Sequence, residues 1–453
     1  MNPLITGKPR HTLTSRGIRT AVAVFTAAGM ACASVAVGAA AAAPRATHSS
    51  AKPISVWVDA SRLPYVKAFE KANPSVKLAV TTFDGGANGS GSIESKVALF
   101  NRVGKGWPDI VFSTEQNDVQ TLGAAPFNFP ATLNKGLVPA SVLKNYATGA
   151  LSPCYIGTKL ECLRNDLAFD VLWVDVPLMK KWHYKVPTTW QQWQTIGESV
   201  AKHHPGYIIG TLGNSYDDAV YLQAAQCHMN DLINQYTVLD NPADPNCVKM
   251  ANLLNPLLKD KSVPAVNVFS ATFGKQFAGK VLMMVGPAWY GGAIFNSTSG
   301  LNSPKGTIEA AAPLTWAGNS KTWTGDVGGG LWIMSSHTTQ PKAVAKVMIA
   351  LATSNVCQAE DQGYPGYVPA AKKWIATQDK SGYYAAALAP VFAKAATEVW
   401  TGWSQTRWDV FGLWAANVTP NLIAGDTVTS QLPVMGSVIS NYAQSDGFQV
   451  TNK

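Results

Sequence analysis

The chain has 453 residues, including 15 Trp and 14 Tyr, and a formal net charge of +9. Such a length exceeds one ordinary core and points to two lobes or domains. Five Lys and Arg and no acid lie in residues 1–46, so residues 47–453 carry only +4, from 31 bases and 27 acids, without the clustered basic patch of a nucleic-acid binder.

Lys8, Arg10, Arg16 and Arg19 form a basic start, an apolar Ala/Val-rich run covers Thr20–Ala43, and small residues continue to Ala46. This is the pattern of a secretory signal, so residues 1–46 are set aside and an exported chain is expected. Cys32 follows Gly29-Met30-Ala31, without the Leu that a lipobox carries three residues ahead of its Cys. Ordinary secretion is favoured, with a lipid anchor through Cys32 as the alternative. No later stretch is long and apolar enough to cross a bilayer.

Folded structure is expected from about Lys52. Ile54–Asp59 alternates as a strand, Leu63–Ala72 has helical apolar spacing, and Val76–Phe83 reads as a second strand. A Gly/Ser/Asn loop over Asp84–Ser92, a helix over Ser95–Val103 and a strand at Asp109–Ser113 come next. This alternation predicts a parallel sheet covered on both faces, with a ligand beyond the carboxyl ends of its strands. Those ends are Asp59-Ala-Ser-Arg62, Asp84-Gly-Gly and Ser113-Thr-Glu-Gln-Asn117.

A second unit begins with a strand at 167–176. A helix starts after Thr189, which has capping-box spacing to Gln192. Further helices are expected over Ala219–Met229, Val248–Leu258 and Ala271–Ala278. Val281–Gly286 reads as a buried strand, closed by Pro287 and followed by Trp289, Tyr290, Gly291 and Gly292. The glycines are expected to leave the face of Trp289 clear for a flat ligand. Gly328–Ser336 is another strand, Pro341–Thr353 a helix, and the chain from Gly382 is mostly helical.

Cys154 and Cys162 flank a short polar loop, and Cys227 and Cys247 a longer one. Outside the cytosol both pairs are read as disulfides, which leaves Cys357 free. Metal ligation is the less favoured reading, because neither pair has C-x-x-C spacing or neighbouring His.

Five patterns then occur in order: GWPDIVF (Gly106–Phe112), LAFDVLWVD (Leu167–Asp175), VPTTWQQW (Val186–Trp193), FSATFGKQFAGKVLMMVGPAW (Phe269–Trp289) and GYVPA (Gly366–Ala370). Together they resemble the extracellular solute-binding proteins of bacterial ABC importers, in the carbohydrate-binding group typified by maltose-binding protein. The resemblance spans roughly residues 54–445. It implies an α/β, two-lobed periplasmic-binding-protein fold with three inter-lobe crossings and a central ligand cleft. Lobe one would be 53–165 plus 313–360 and lobe two 166–312 plus 361–453, with crossings near Asp166, Ala312 and Asp361. It also implies a mono- or oligosaccharide ligand, ABC-transporter permease subunits as partners, a monomer, and no cofactor, metal or catalysis.

Position by position, the resemblance places Asp59, Ser61 and Arg62 on the loop after the first strand and Ser113, Gln116 and Asn117 after the third. Asp166 falls where the family often has an acid for sugar hydroxyls, and Trp289 at its stacking position. Tyr216 and Asp217 fall on a second-lobe loop, Tyr367 in the late G-Y-x-P pattern, and Trp403 and Arg407 at the start of a late helix. The chain departs from the family in having Val174-Asp175 for an aromatic-Asn pair and no aromatic at Ser113.

These residue types suit a sugar, since indole faces stack on pyranose C–H patches while Asp, Asn, Gln and Arg satisfy the hydroxyl rim. Plainer roles compete. Trp289 could plug the end of a lobe, and Trp400, Trp403, Arg407, Phe411 and Trp414 recur at helical spacing and are mostly expected in the core. Asp217-Asp218 could cap a loop, and Asp59 with Arg62 could be a surface pair. His203-His204 reads as solvated surface, and Gly325–Gly330 as a turn. The main functional rival is a secreted glycoside hydrolase with Asp166 and Asp217 as paired carboxylates, for which no acid–nucleophile motif is present. A sugar-sensing surface protein without transport is the other.

Overall fold

In the computed structural model the described residues are 52–83, 90–234, 236–402 and 408–452, so the signal segment and Cys32 lie outside them. The strand Ile54–Val58 alternates buried and half-buried residues, and pairs in parallel with Leu78–Thr82 on one side and Ile110–Ser113 on the other. The helix Leu63–Ala72 starts on Pro64 and turns Tyr65, Val66 and Phe69 inward. This is the expected βαβ start. The sheet is nevertheless mixed. Leu331–Met334 runs antiparallel to both Ile110–Ser113 and Leu163–Arg164, giving five strands in all. Antiparallel pairing arises because Leu331–Met334 returns from a second sheet and not through a local crossover helix.

That second sheet has Asp170–Asp175 at its centre, antiparallel to Met283–Pro287 and to Ile308–Ala311. The helix Trp190–His203 beside it carries the expected capping box, in which Thr189 and Gln192 satisfy each other's backbone N–H groups. Two expected helices shrink. Ala219–Met229 is a π-helical turn at Asp218–Leu222 followed by irregular turns, and Ala271–Ala278 reduces to Phe273–Phe277. Beyond Gly382 the described residues form the helices Ala389–Ala395, Val410–Asn417, Thr419–Ala424 and Val428–Ser445, joined by irregular segments, and a short strand at Gln449–Thr451.

The tryptophan surplus goes largely to the core. Trp173, Trp190, Trp193, Trp332 and Trp414 are among the largest fully buried side chains, and such rings give high apolar burial for few rotatable bonds. Both expected disulfides form, with Cα separations of 4.9 Å for Cys154–Cys162 and 4.6 Å for Cys227–Cys247. Cys357 is free and buried.

Three chain segments meet between the two main sheets. Asp166–Leu167 pairs antiparallel with Tyr364–Pro365, and Phe169 bridges Asp326. The fully buried Arg164 binds both carboxylate oxygens of Asp326, at 3.1 and 2.9 Å, and donates to the carbonyls of Asp166 and Gly328. Asn165 donates to Asp361 at 2.8 Å and accepts from Trp332 and Gln358 at 2.9 Å each. Side chains and carbonyls of all three segments are therefore tied in one buried network. No helix among the described residues is long and apolar enough to cross a membrane.

Candidate functional site

The strand Ile110–Ser113 delivers the first wall of a cavity at its carboxyl end. The Ser113 hydroxyl is used in the turn itself: it donates to Asp118 and accepts the Glu115 N–H at 3.0 Å. This turn presents Gln116 and Asn117 to the cavity. The Gln116 amide N–H₂ donates to the carbonyls of Asp326, at 3.1 Å, and Gly328. Two backbone acceptors fix the amide's orientation, so its oxygen is left as an acceptor and has no partner.

The second wall is the irregular segment from Asp218 to Asp231. It contributes Asp218, Leu222, Gln223, Met229, Asn230 and Asp231, and Cys227 anchors it to the helix Pro245–Lys259 through the disulfide with Cys247. The third wall is Trp400, Trp408, Val410 and Phe411, backed by Met435 and Ile439. Trp400 is held by its backbone N–H, which donates to the Thr324 carbonyl at 2.9 Å, and by the His228 ring edge-on at 5.1 Å; His228 itself pairs with Asp231 at 2.6 Å. The enclosed volume is ≈ 110 Å³. Pockets that hold small molecules are generally about 300–1,000 Å³, so a ligand requires these walls to part.

Carboxyl groups crowd one side. Burial is the first cause of each upward shift: Glu115 is pushed up to about 8, and Glu94 and Asp218 to about 7. Asp118 and Asp409 also rise for the same first reason. Nearby like charge adds to this, with Asp409 acting on Glu94, Glu115, Asp118 and Asp218. One oxygen each of Glu115, Asp118 and Asp218 is buried without a hydrogen-bond partner.

Of the residues singled out in the sequence, Gln116 and Asn117 line the cavity. Ser113 shapes it from beneath through its turn. Asp59 and Arg62 form a pair, with the Arg62 N–H on Asp59 at 2.8 Å and the side chains 3.4 Å apart, while the Arg62 guanidinium lies 4.6 Å over the Phe112 ring. Ser61 is exposed. Asp166 belongs to the network between the sheets, accepting the Gly330 N–H at 3.0 Å and Asn165 at 3.1 Å. Its neighbour Asp361 is pushed up to about 7, by burial and then by the charge of Asp166.

Tyr216 stands behind the third wall, its ring 6.4 Å from Phe411 and 5.7 Å from Trp289, and its hydroxyl 3.1 Å from that of Tyr290. Both oxygens of Asp217 accept from Asn214, which fixes the loop. Tyr367 opens the helix Val368–Ser381 and packs edge-on against Tyr146 at 5.4 Å. Trp403 and Arg407 lie outside the described residues.

Trp289 does not line this cavity. Its N–H donates to the Val327 carbonyl at 3.0 Å, and Phe269 stacks on it at 5.9 Å with 16° between the planes. Nor do the glycines clear its face. A Cβ on Gly286 would overlap the Tyr290 ring, and one on Gly291 would meet Trp173 and the Tyr384 hydroxyl, so both make room for core rings. Tyr290 is buried. Lining the cavity but not read as ligand residues in the sequence are Gln223, Asn230, Asp231 and Trp408, together with Asp218, read there as a loop cap, and Trp400 and Phe411, expected in the core. Among the described residues no group of three or more His, Cys, Asp or Glu is arranged to hold a metal ion.

No family model and no curated protein sequence matches the chain. Solved structures do. The fold is that of the two-lobed, sugar-binding solute-binding proteins of ABC transporters. An ABC transporter associated binding protein from B. animalis subsp. lactis, in complex with beta-1,6-galactobiose, superposes with a TM-score of 0.73 at 15% identity, over 88% of this chain and 99% of its own. The galacto-N-biose-/lacto-N-biose I-binding protein of Bifidobacterium longum, in complex with lacto-N-biose, gives 0.72 at 16% identity over 88% and 99%. The GacH receptor of Streptomyces glaucescens, solved unliganded and with acarbose, gives 0.65 at 15% identity over 86% and 98%. The neighbours' descriptions are of binding proteins, not enzymes.

Proposed function

We propose that this chain binds a carbohydrate outside the cell, in a cleft that closes by hinge motion, and delivers it as a monomer to ABC-transporter permease subunits. The lobes would be 53–165 plus 313–360 and 166–312 plus 361–453, with the Arg164–Asp326–Asp361 region as the hinge. The observation that carries this reading is the make-up of the cavity. Its indole and phenyl walls from Trp400, Trp408 and Phe411 face the carboxamides and carboxylates of Gln116, Asn117, Asp218, Gln223 and Asn230. Such a wall and rim match the two surfaces of a pyranose. Drying by closure raises the cost of each unmade hydrogen bond, which gives selectivity.

A thermal-shift screen against mono- and oligosaccharides tests the reading, because a ligand specific to the folded state raises its apparent stability by mass action. A concentration-dependent rise with at least one sugar, accompanied by a change in tryptophan fluorescence and no release of reducing ends over hours, is expected. Hydrolysis of an oligosaccharide, lost in Asp166→Asn or Asp218→Asn, would instead establish a glycoside hydrolase.

A further inference from the structure

Resting on the sugar-binding reading, we propose that the ligand is an amino sugar whose free, protonated amine enters the carboxylate side of the cavity between Gln116 and Asp218. On this side of the cavity buried acceptors are left over. Gln116, 4% exposed, directs an unpartnered amide oxygen into it while its N–H₂ is held by two carbonyls outside. Asp218, which also lines the cavity, has a buried oxygen without a partner, and behind the lining Glu115, one residue before Gln116 and 3% exposed, has another. Asp409, next to the wall residue Val410, uses its carboxylate to cap the helix Val410–Asn417 through Gly412 and adds negative charge from the third side.

Among the described residues that line the cavity there is no Lys, Arg or His; His228, beside it, is paired with Asp231. A neutral sugar can fill one or two of these acceptors with hydroxyls but does nothing to favour the ionised carboxylates that burial disfavours. An ammonium brings three donors together with the opposite charge, and charge-assisted hydrogen bonds are about twice as strong as neutral ones. Burying such an amine among unpaired carboxylates relieves the crowding that holds their protons on. An N-acetyl group would remove the charge and leave one donor.

The test is isothermal titration of the mature protein with matched sugars that differ only at one carbon, bearing an amine, an N-acetyl group or a hydroxyl. Mono- and β-linked disaccharides of the gluco, galacto and manno series serve as probes. The amine form is expected to bind at least tenfold more tightly than its two counterparts. That preference should shrink to under threefold in Asp218→Asn and in Glu115→Gln, both nearly isosteric, with unfolding curves recorded to verify that each variant folds. A neutral sugar that binds as tightly as its amine overturns the inference and leaves sugar binding intact. So does an amine preference that first emerges in Arg407→Ala, which would mean that this arginine already supplies the cation. Binding of none of the sugars overturns the sugar reading itself, and this inference with it.

Discussion

Two acid-rich regions of the molecule differ in how their carboxylates are satisfied. Between the sheets, Asp326 accepts two hydrogen bonds from Arg164, Asp166 accepts from the Gly330 N–H and Asn165, and Asp361 from Asn165 and the Gly363 N–H. In and behind the cavity wall, the lining residue Asp218 and its neighbours Glu115 and Asp118 each bury an oxygen with no partner. Burial costs the same desolvation in both places, but only the first repays it within the chain. A missing donor does not by itself mark a site, since Asp170 on the central strand of the second sheet buries both oxygens without a partner; beside a cavity, a free carboxylate oxygen can meet a donor that arrives from outside.

The largest expected effect comes from breaking the satisfied region. Arg164→Met leaves Asp326 buried without its cation and should lower stability by about 3–5 kcal/mol in urea unfolding. Adding Asp326→Leu should recover much of that loss; a double variant as weak as the single would show that the ion pair is not the source. Next in size, replacing both Cys227 and Cys247 by Ser frees the second cavity wall. Loss of the loop constraint should cost about 2–4 kcal/mol, read as a lower denaturation midpoint. Sugar affinity should fall as well, since Cys227 is part of that wall.

A smaller effect tests the stretch around Trp289. Trp289→Ala removes a half-buried ring and its N–H bond to Val327, and about 2 kcal/mol of stability should go with it. The smallest prediction concerns pH. Because Glu115 and Asp218 have raised values of about 8 and 7, the folded protein holds more protons than the unfolded chain above the ordinary carboxylate range. Their contribution is therefore fully present below about pH 4 and is lost as pH rises through 7 and 8. Midpoints of the ligand-free protein should decline over that interval, and Glu115→Gln should flatten the decline.

Much of the framework was legible because its signals are local. Leu63–Ala72, read from its apolar spacing, and Pro341–Thr353 match residue for residue. The Thr189 capping box and both disulfides came from short-range chemistry and export. The antiparallel strand Leu331–Met334 was not legible, because its direction depends on which chain crossing delivers it. The site was legible only in part. Gln116 and Asn117, which line the cavity, were singled out because they come after the third strand, where such sheets present ligands. Asp218–Asp231 was obscured because its apolar spacing read as a helix over Ala219–Met229, where the chain forms a π-helical turn and a disulfide-held loop. Trp400, Phe411 and Trp414 share a helical spacing, yet the helix begins only at Val410, after Asp409 caps it, so Trp400 is free to face the cavity while Trp414 stays in the core. Around Trp289 the glycines misled for a packing reason, since space beside a glycine is often filled by a ring from elsewhere.

Everything proposed for this chain turns on the ligand being held by the cavity between Gln116, Asp218 and Phe411, and not by the Trp289 stretch. The decisive experiment is calorimetric affinity for the tightest sugar of the screen, in the wild type, Phe411→Ala and Trp289→Ala. At least a tenfold loss is expected in Phe411→Ala, about 1.4 kcal/mol, with Trp289→Ala within about threefold of the wild type. A tenfold loss in Trp289→Ala with unchanged affinity in Phe411→Ala would show that the Trp289 stretch, and not the cavity, holds the sugar.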